Sequence, residues 1–170
     1  MNIIKHPTSR ISSLVDIENS PRGTKFIIGK NSSIDSFVKI KPVGGEGDIK
    51  VGENSEINSN CVLYSGNGIT IGNNVLIAAG CVFASTNHAY DDKSKTIREQ
   101  RFIPSQGGIV IEDDVWIGAG TVLLDGTIIR KGSVIVAQSL VIGELPEYSI
   151  SGGNPIKVMG FRNWKKYTDI

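Results

Sequence analysis

Two histidines stand in this 170-residue chain, and one of them is placed to do chemistry. An imidazole titrates near pH 6.5, so it can take a proton from a hydroxyl at neutral pH. His88 lies in Thr86-Asn87-His88, with Asp91 and Asp92 just after it. A carboxylate or a backbone carbonyl that accepts from one ring nitrogen fixes the tautomer and leaves the other nitrogen as the base. Asp91 and Asp92 are the side-chain candidates, although a solvated loop acid is the plainer account of each. His6 sits beside Pro7 and reads as a solvated side chain. Two histidines fall short of a three-histidine zinc site, so no metal is expected. Cys61 and Cys81 make neither a disulfide framework nor a zinc site, and they read as small buried hydrophobes. No residue stands out as a covalent nucleophile.

Other residues suit binding better than proton transfer. Trp116 either packs against another subunit or walls a ligand tunnel. Gly118, Ala119 and Ala137 are small turn residues that let a ligand approach the main chain. The Ala119 N–H is a candidate donor to an oxygen that gains negative charge. Tyr64-Ser-Gly-Asn67-Gly is a candidate ligand-facing turn, with an ordinary Asn-Gly turn as the simpler explanation.

These residues need a scaffold, and composition limits which one. The chain has 25 Ile and 14 Val against 7 Leu and 6 Ala, which favours strands over helices. Gly is 20 of 170, about 12% where roughly 7% is usual. Many short strands joined by tight turns follow. Eighteen Lys and Arg against 17 Asp and Glu give a net charge of +1, so nothing points to nucleic acid or anionic lipid. No apolar run approaches the roughly 18 residues of a membrane span. Met1-Asn-Ile-Ile-Lys-His-Pro is no signal peptide, so a cytoplasmic location is expected.

An aliphatic residue recurs every six positions: 111, 117, 123, then 129, 135, 141. The same template fits 28/34/40, 51/57/63 and 71/77/83, and extra residues enter only near 41–50, 64–70 and 84–110. Three hexads make one triangular coil of 18 residues, with each hexad a short strand and a turn. Coils then stack strand on strand, about 4.8 Å apart, and the insertions leave from one corner. A sandwich has no fixed hexad. The expected fold is all-β: a parallel β-helix of about five coils over 26–154, with a protruding loop at 84–108. Residues 1–25 read as an irregular arm or poorly formed first coil, with Ile11 and Ile17 as weak core candidates. Residues 155–170 read as a short amphipathic helix whose apolar side, Val158, Phe161 and Trp164, caps the stack.

These hexads, with Asp114-Val-Trp-Ile-Gly-Ala-Gly120 and Ser151-Gly-Gly-Asn-Pro-Ile-Lys157, resemble the hexapeptide-repeat acyltransferases, in particular the sugar and polysaccharide O-acetyltransferases. The resemblance covers about residues 26–162. It implies a left-handed coil, where the usual crossover rule predicts the opposite hand. It further implies acetyl-CoA as acyl donor, a sugar or glycan hydroxyl as acceptor, His88 as general base and Trp116 beside the site. A homotrimer with sites between subunits completes the expectation. Tyr64, Asn67, Asn87 and Asp91 are then the acceptor-side candidates; Trp116, Gly118, Ala119 and Ala137 are the cofactor-side ones. Many members carry Thr-Lys-Asp where this chain has Ile142, Gly143 and Glu144. Cations for the nucleotide end of the cofactor must therefore come from elsewhere, and Lys157 and Arg162 rank first, with Lys165 and Lys166 beyond. The alternatives are an N-acetyltransferase acting on a nucleotide-linked amino sugar and a non-catalytic coil acting as a scaffold.

Overall fold

The computed structural model describes residues 1–163 as a three-sided parallel β-helix. Face A stacks β1 (Asn2–Lys5), β4 (Lys25–Ile28), β7 (Ile49–Val51), β10 (Ile69–Ile71), β13 (Ile109–Ile111), β16 (Thr127–Ile129) and β19 (Glu144–Leu145). Face B stacks β2 (Arg10–Ile11), β5 (Ser33–Ile34), β8 (Glu56–Ile57), β11 (Leu76–Ile77), β14 (Trp116–Ile117), β17 (Val134–Ile135) and β20 (Ser149–Gly152), and β21 (Lys157–Phe161) closes it. Face C stacks β3 (Asp16–Ile17), β6 (Lys39–Lys41), β9 (Val62–Tyr64), β12 (Val82–Ala84), β15 (Val122–Leu124) and β18 (Leu140–Val141). Consecutive coils pair in parallel and in register, so like hexad places form columns, such as Leu76 on Trp116 and Ile77 on Ile117.

The repeat explains the core. The aliphatic residue of each hexad points inward, and Ile28, Ile34, Ile40, Ile57, Leu63, Ile77, Phe83, Ile117 and Ile135 are all buried. Each such side chain contributes about 1.5–3 kcal/mol relative to exposure. Corners need a left-handed residue to turn the chain, and the sequence supplies it in columns. Asn31, Asn54, Asn74 and Asp114 turn the A–B corner at φ of 52–59°. Asn tolerates that conformation because its short amide bonds locally.

The stack extends beyond the five triads read from the hexads. Residues 1–25 supply β1, β2 and β3 and make a first coil, and Ile11 and Ile17 pack against the core. Six coils are complete, and β19 and β20 begin a seventh.

The C-terminal expectation is corrected. Residues 157–161 form strand β21, antiparallel to β20, where a helix was expected. The reason is the free edge of β20, whose backbone groups need partners, and Val158, Met159 and Phe161 suit a strand. Val158 and Phe161 remain largely exposed. Trp164, Lys165 and Lys166 lie outside the described residues. Among the described residues, no helix is long and apolar enough to cross a membrane.

The insertions at 42–48, 65–68 and 85–108 all leave at the C–A corner, one above another. Gly spacing makes this stacking possible: a Cβ on Gly45 would strike the Gly66 carbonyl oxygen, and one on Gly66 would strike Thr86.

Candidate active site

His88 sits in the long C–A excursion, four residues beyond β12, and is exposed. Two short stretches of the loop pair antiparallel to hold it. The His88 and Phe102 backbones form a bridge, the Ala89 N–H donates to the Arg101 carbonyl, and the Ile103 N–H donates to the Asn87 carbonyl. The Phe102 ring packs on the imidazole, with centroids 4.6 Å apart and planes tilted 34°. His88 Nδ1 lies 3.0 Å from the Arg101 carbonyl oxygen. A carbonyl only accepts, so Nδ1–H donates and Nε2 keeps its lone pair.

The orienter is therefore the Arg101 main chain, and the side-chain candidates are corrected. Asp92 caps its own turn: the Ser94 hydroxyl and N–H, then Lys95, hold its carboxyl below the ordinary carboxylate range. Asp91 is an exposed loop acid. Arg101 reaches this geometry at φ 62°, an uncommon conformation for a side-chain-bearing residue, directly after helix α1 (Ile97–Gln100). A capping box starts that helix, with Thr96 and Glu99 bonding to each other's backbone N–H.

Asn67 is also corrected as a free acceptor contact. Its Nδ2 donates to Asp125 Oδ2 at 2.9 Å. Asp125 is fully buried, and it accepts as well from the Gln106 N–H and the Gly108 N–H, each at 2.9 Å. One carboxylate thus ties the returning end of the loop to the turn of an earlier coil. The hexad template assigns Asp125 no role. A signal was present: Ser65, Ser85 and Asp125 each follow two places after a core residue of face C, and an acid there breaks a small-residue column. Tyr64 is half-buried, in register between Lys41 and Ala84 on the outside of face C. Asn87 is half-buried beside His88.

The cofactor-side residues stand elsewhere. Trp116 lies outward on face B, 54% exposed, between Leu76 and Val134. A shallow pocket of about 200 Å³ forms there with Leu76, Asp114, Val134 and Arg162. Gly118, Ala119 and Ala137 turn the B–C corner, where a Cβ on Gly118 would strike the Ala137 backbone. The N–H groups of Ala79, Ala119 and Ala137 make no hydrogen bond among the described residues, so Ala119 is one of a column of exposed donors. Arg162 is already engaged: Nη1 donates to Asp114 Oδ2 at 2.9 Å and to the Gly132 carbonyl at 2.8 Å. Lys157 is exposed at the start of β21 and has no ion pair among the described residues.

His88 thus stands at the C–A corner, Gly118 to Gly120 at the B–C corner and Trp116 on face B. Within one chain these groups point apart.

Residues 108–143 match the model of the bacterial transferase hexapeptide (six repeats). A putative lipopolysaccharide biosynthesis O-acetyl transferase, WbbJ of Escherichia coli, is 30% identical over 85% of this chain and 70% of its own length. The chain belongs to the hexapeptide-repeat acetyltransferase family. Its coil is the left-handed β-helix of that family. A hexapeptide-repeat acetyltransferase of Vibrio cholerae, solved with acetyl coenzyme A, is 29% identical, covering 82% of this chain and 70% of its own, at a TM-score of 0.59. The N-acyltransferase AntD of Bacillus cereus, solved with dTDP and 3-hydroxybutyryl-CoA, covers 95% of this chain and 83% of its own at a TM-score of 0.78; at 20% identity it shares the fold. The chain spans about half the length of other curated relatives that it matches, 47% and 55% of two acetyltransferases.

Proposed function

We propose that this family member transfers an acetyl group from acetyl-CoA to a hydroxyl of a sugar or surface glycan. The observation that carries the reading is the His88 tautomer: the Arg101 carbonyl holds Nδ1–H, so Nε2 is available as a base. In this mechanism Nε2 takes the acceptor's hydroxyl proton as the oxygen attacks the thioester carbonyl directly. The Ala119 N–H donates to the carbonyl oxygen as negative charge develops. The tetrahedral intermediate collapses, the C–S bond breaks, and the imidazolium returns its proton to the CoA sulfur. The acyl donor runs along the B–C corner, where exposed unbonded N–H groups suit the amide-bearing arm of CoA. Lys157 meets its nucleotide end.

Because the base and the cofactor-side residues point apart in one chain, the complete site forms between subunits, and a closed trimer supplies three. Trp116 of one subunit then walls the site whose base is the His88 of its neighbour. The reaction is placed in the cytoplasm, with the acetyl-CoA pool. The O-acetyl preference rests on the likeness to WbbJ.

The test is thiol release from acetyl-CoA across a panel of neutral sugars, amino sugars and glycans, with His88→Ala beside the parent. General base loss should lower turnover by about 10²–10⁴-fold with CoA affinity retained. Parental turnover in His88→Ala would overturn the base, and transfer to amines alone would overturn the O-acetyl reading.

A further inference from the structure

The outer surface of face B changes character along one registered column. Arg10, Ser33, Glu56, Leu76, Trp116 and Val134 stack outward on successive strands. The later half is the apolar surface around Trp116. The earlier half encloses a trough of about 570 Å³, within the usual range for small-ligand sites. The trough exists because Ser33 is short between two long side chains.

Its walls are polar, and their charges are sorted. Lys5 and Arg10 line one end. Among the described residues, neither cation has an ion-pair or hydrogen-bond partner. Glu56 and Asn58 line the coil above, two strands from Arg10. Asp35 lies between and stays charged: Oδ2 accepts from the Ser59 hydroxyl at 2.6 Å and Oδ1 from the Ser36 N–H at 2.7 Å, and these bonds, then the Arg10 charge, hold its carboxyl below the ordinary range. Two cations thus stand at one end and two carboxylates, Asp35 and Glu56, toward the other. A ligand that fits presents an anion to Lys5 and Arg10 and hydroxyls to Glu56 and to Asn58 Oδ1, the Asn58 Nδ2 already donating to the Ile77 carbonyl at 2.9 Å.

A second observation lies at the adjoining B–C corner, beyond the residues that line the trough. Phe37, two residues past Asp35, turns the B–C corner at φ 63° with 61% of its surface exposed. The neighbouring coils turn that corner with Asn60 and Gly80. A bulky aromatic in this conformation is strained, and its ring stands in water. Leu14, whose carbonyl accepts from the Phe37 N–H, is 55% exposed beside it. Exposed apolar side chains two residues beyond the lining Ser12 and Asp35 suit a carbohydrate that extends past the trough, with an apolar ring face and polar edges.

We infer that this trough holds a carbohydrate bearing an anionic group, phosphate or carboxylate, against Lys5 and Arg10, and that it anchors the acceptor. The second clause rests on the acetyltransferase reading, since the trough continues the column that carries Trp116. The first clause stands without it.

Ligand-observed NMR on the full chain, without acetyl-CoA, tests the binding. Glucose 6-phosphate, glucuronate, glucose and inorganic phosphate are the probes. At least one anionic sugar should bind about tenfold tighter than glucose, which corresponds to about 1.4 kcal/mol. Lys5→Gln with Arg10→Gln should erase that margin, and Phe37→Ala should weaken both sugars. Which anionic sugar leads identifies the anion. Equal binding of glucose and both anionic sugars, or inorganic phosphate binding as well as either, would overturn the proposal. So would an unchanged margin in the double variant. In turnover, the double variant should raise the acceptor KM and leave the acetyl-CoA KM alone. An unchanged acceptor KM in a double variant that has lost the NMR margin would overturn the acceptor role only. A chain that binds the anionic sugar yet transfers no acetyl group would overturn the acetyltransferase reading and leave the trough assigned.

Discussion

Asp125→Asn should slow the enzyme without touching any reacting atom. The carboxylate accepts the Asn67 amide and the Gln106 N–H on one oxygen and the Gly108 N–H on the other. Only two residues, 104 and 105, separate the His88 pairing at 101–103 from the first loop donor of this clasp, Gln106. An amide offers one acceptor oxygen. Turned toward Asn67 and Gln106, it presents NH₂ to the buried Gly108 N–H; turned the other way, it loses two donors. The smaller loss is one buried hydrogen bond to a charged group, about 1.5–3 kcal/mol. The Gly126 N–H bond to the Gly108 carbonyl at 2.7 Å survives, so the loop end stays attached. About 2 kcal/mol shifts the ratio of clasped to unclasped loop roughly thirtyfold. Turnover should therefore fall between about threefold and thirtyfold, with the acetyl-CoA KM unchanged because the donor binds at another corner. Amide exchange should quicken over 101–108 and stay slow in the coils. A drop in melting temperature with parental turnover would reduce Asp125 to a structural residue. Unchanged exchange across the loop would refute the clasp itself.

Both cysteines should be free and unreactive. Cys61 and Cys81 are buried in adjacent coils, and burial keeps reagent from both; the hydrogen bond between the two sulfurs pushes the Cys61 thiol up and the Cys81 thiol down. Thiol reagent should be excluded from the native protein at neutral pH and find two thiols after denaturation without reductant; a disulfide would break the column. Lys157→Ala should raise the acetyl-CoA KM. Arg162→Ala should raise it less, because that guanidinium is already bound to Asp114 and an exposed pair is worth about 1 kcal/mol or less; the reverse order would give the cofactor contact to Arg162. His88→Ala and Trp116→Ala chains, each impaired alone, should recover about a quarter of parental activity on random equal reassembly, the fraction of interfaces that join two intact faces. No recovery would place base and indole in the same subunit's site.

The hexads made the scaffold legible because every coil poses the same steric problem and solves it with the same residue types. A run such as 111, 117, 123 identifies an inward column before any contact is seen, and insertions confined to one phase locate the corner from which His88 projects. Reading stopped where the repeat stops. β21 pairs because β20 ends a sheet with bare backbone groups, and that edge is a property of the assembled stack rather than of Lys157-Val-Met-Gly-Phe161. The partner of His88 is a main-chain oxygen, which every residue possesses, so no residue type at 101 announces it. What places that oxygen is a capped single turn of helix followed by a positive φ, a combination set by Thr96, Glu99 and the pairing of 87–89 with 101–103. Asp125 differs from both cases. An acid in a slot that holds Ser65 and Ser85 in the coils before it is costly to bury unless donors await it. The donors are two backbone N–H groups of the loop and one amide from an earlier coil. The exception to the repeat therefore marked the place where the loop carrying the base is fastened to the stack.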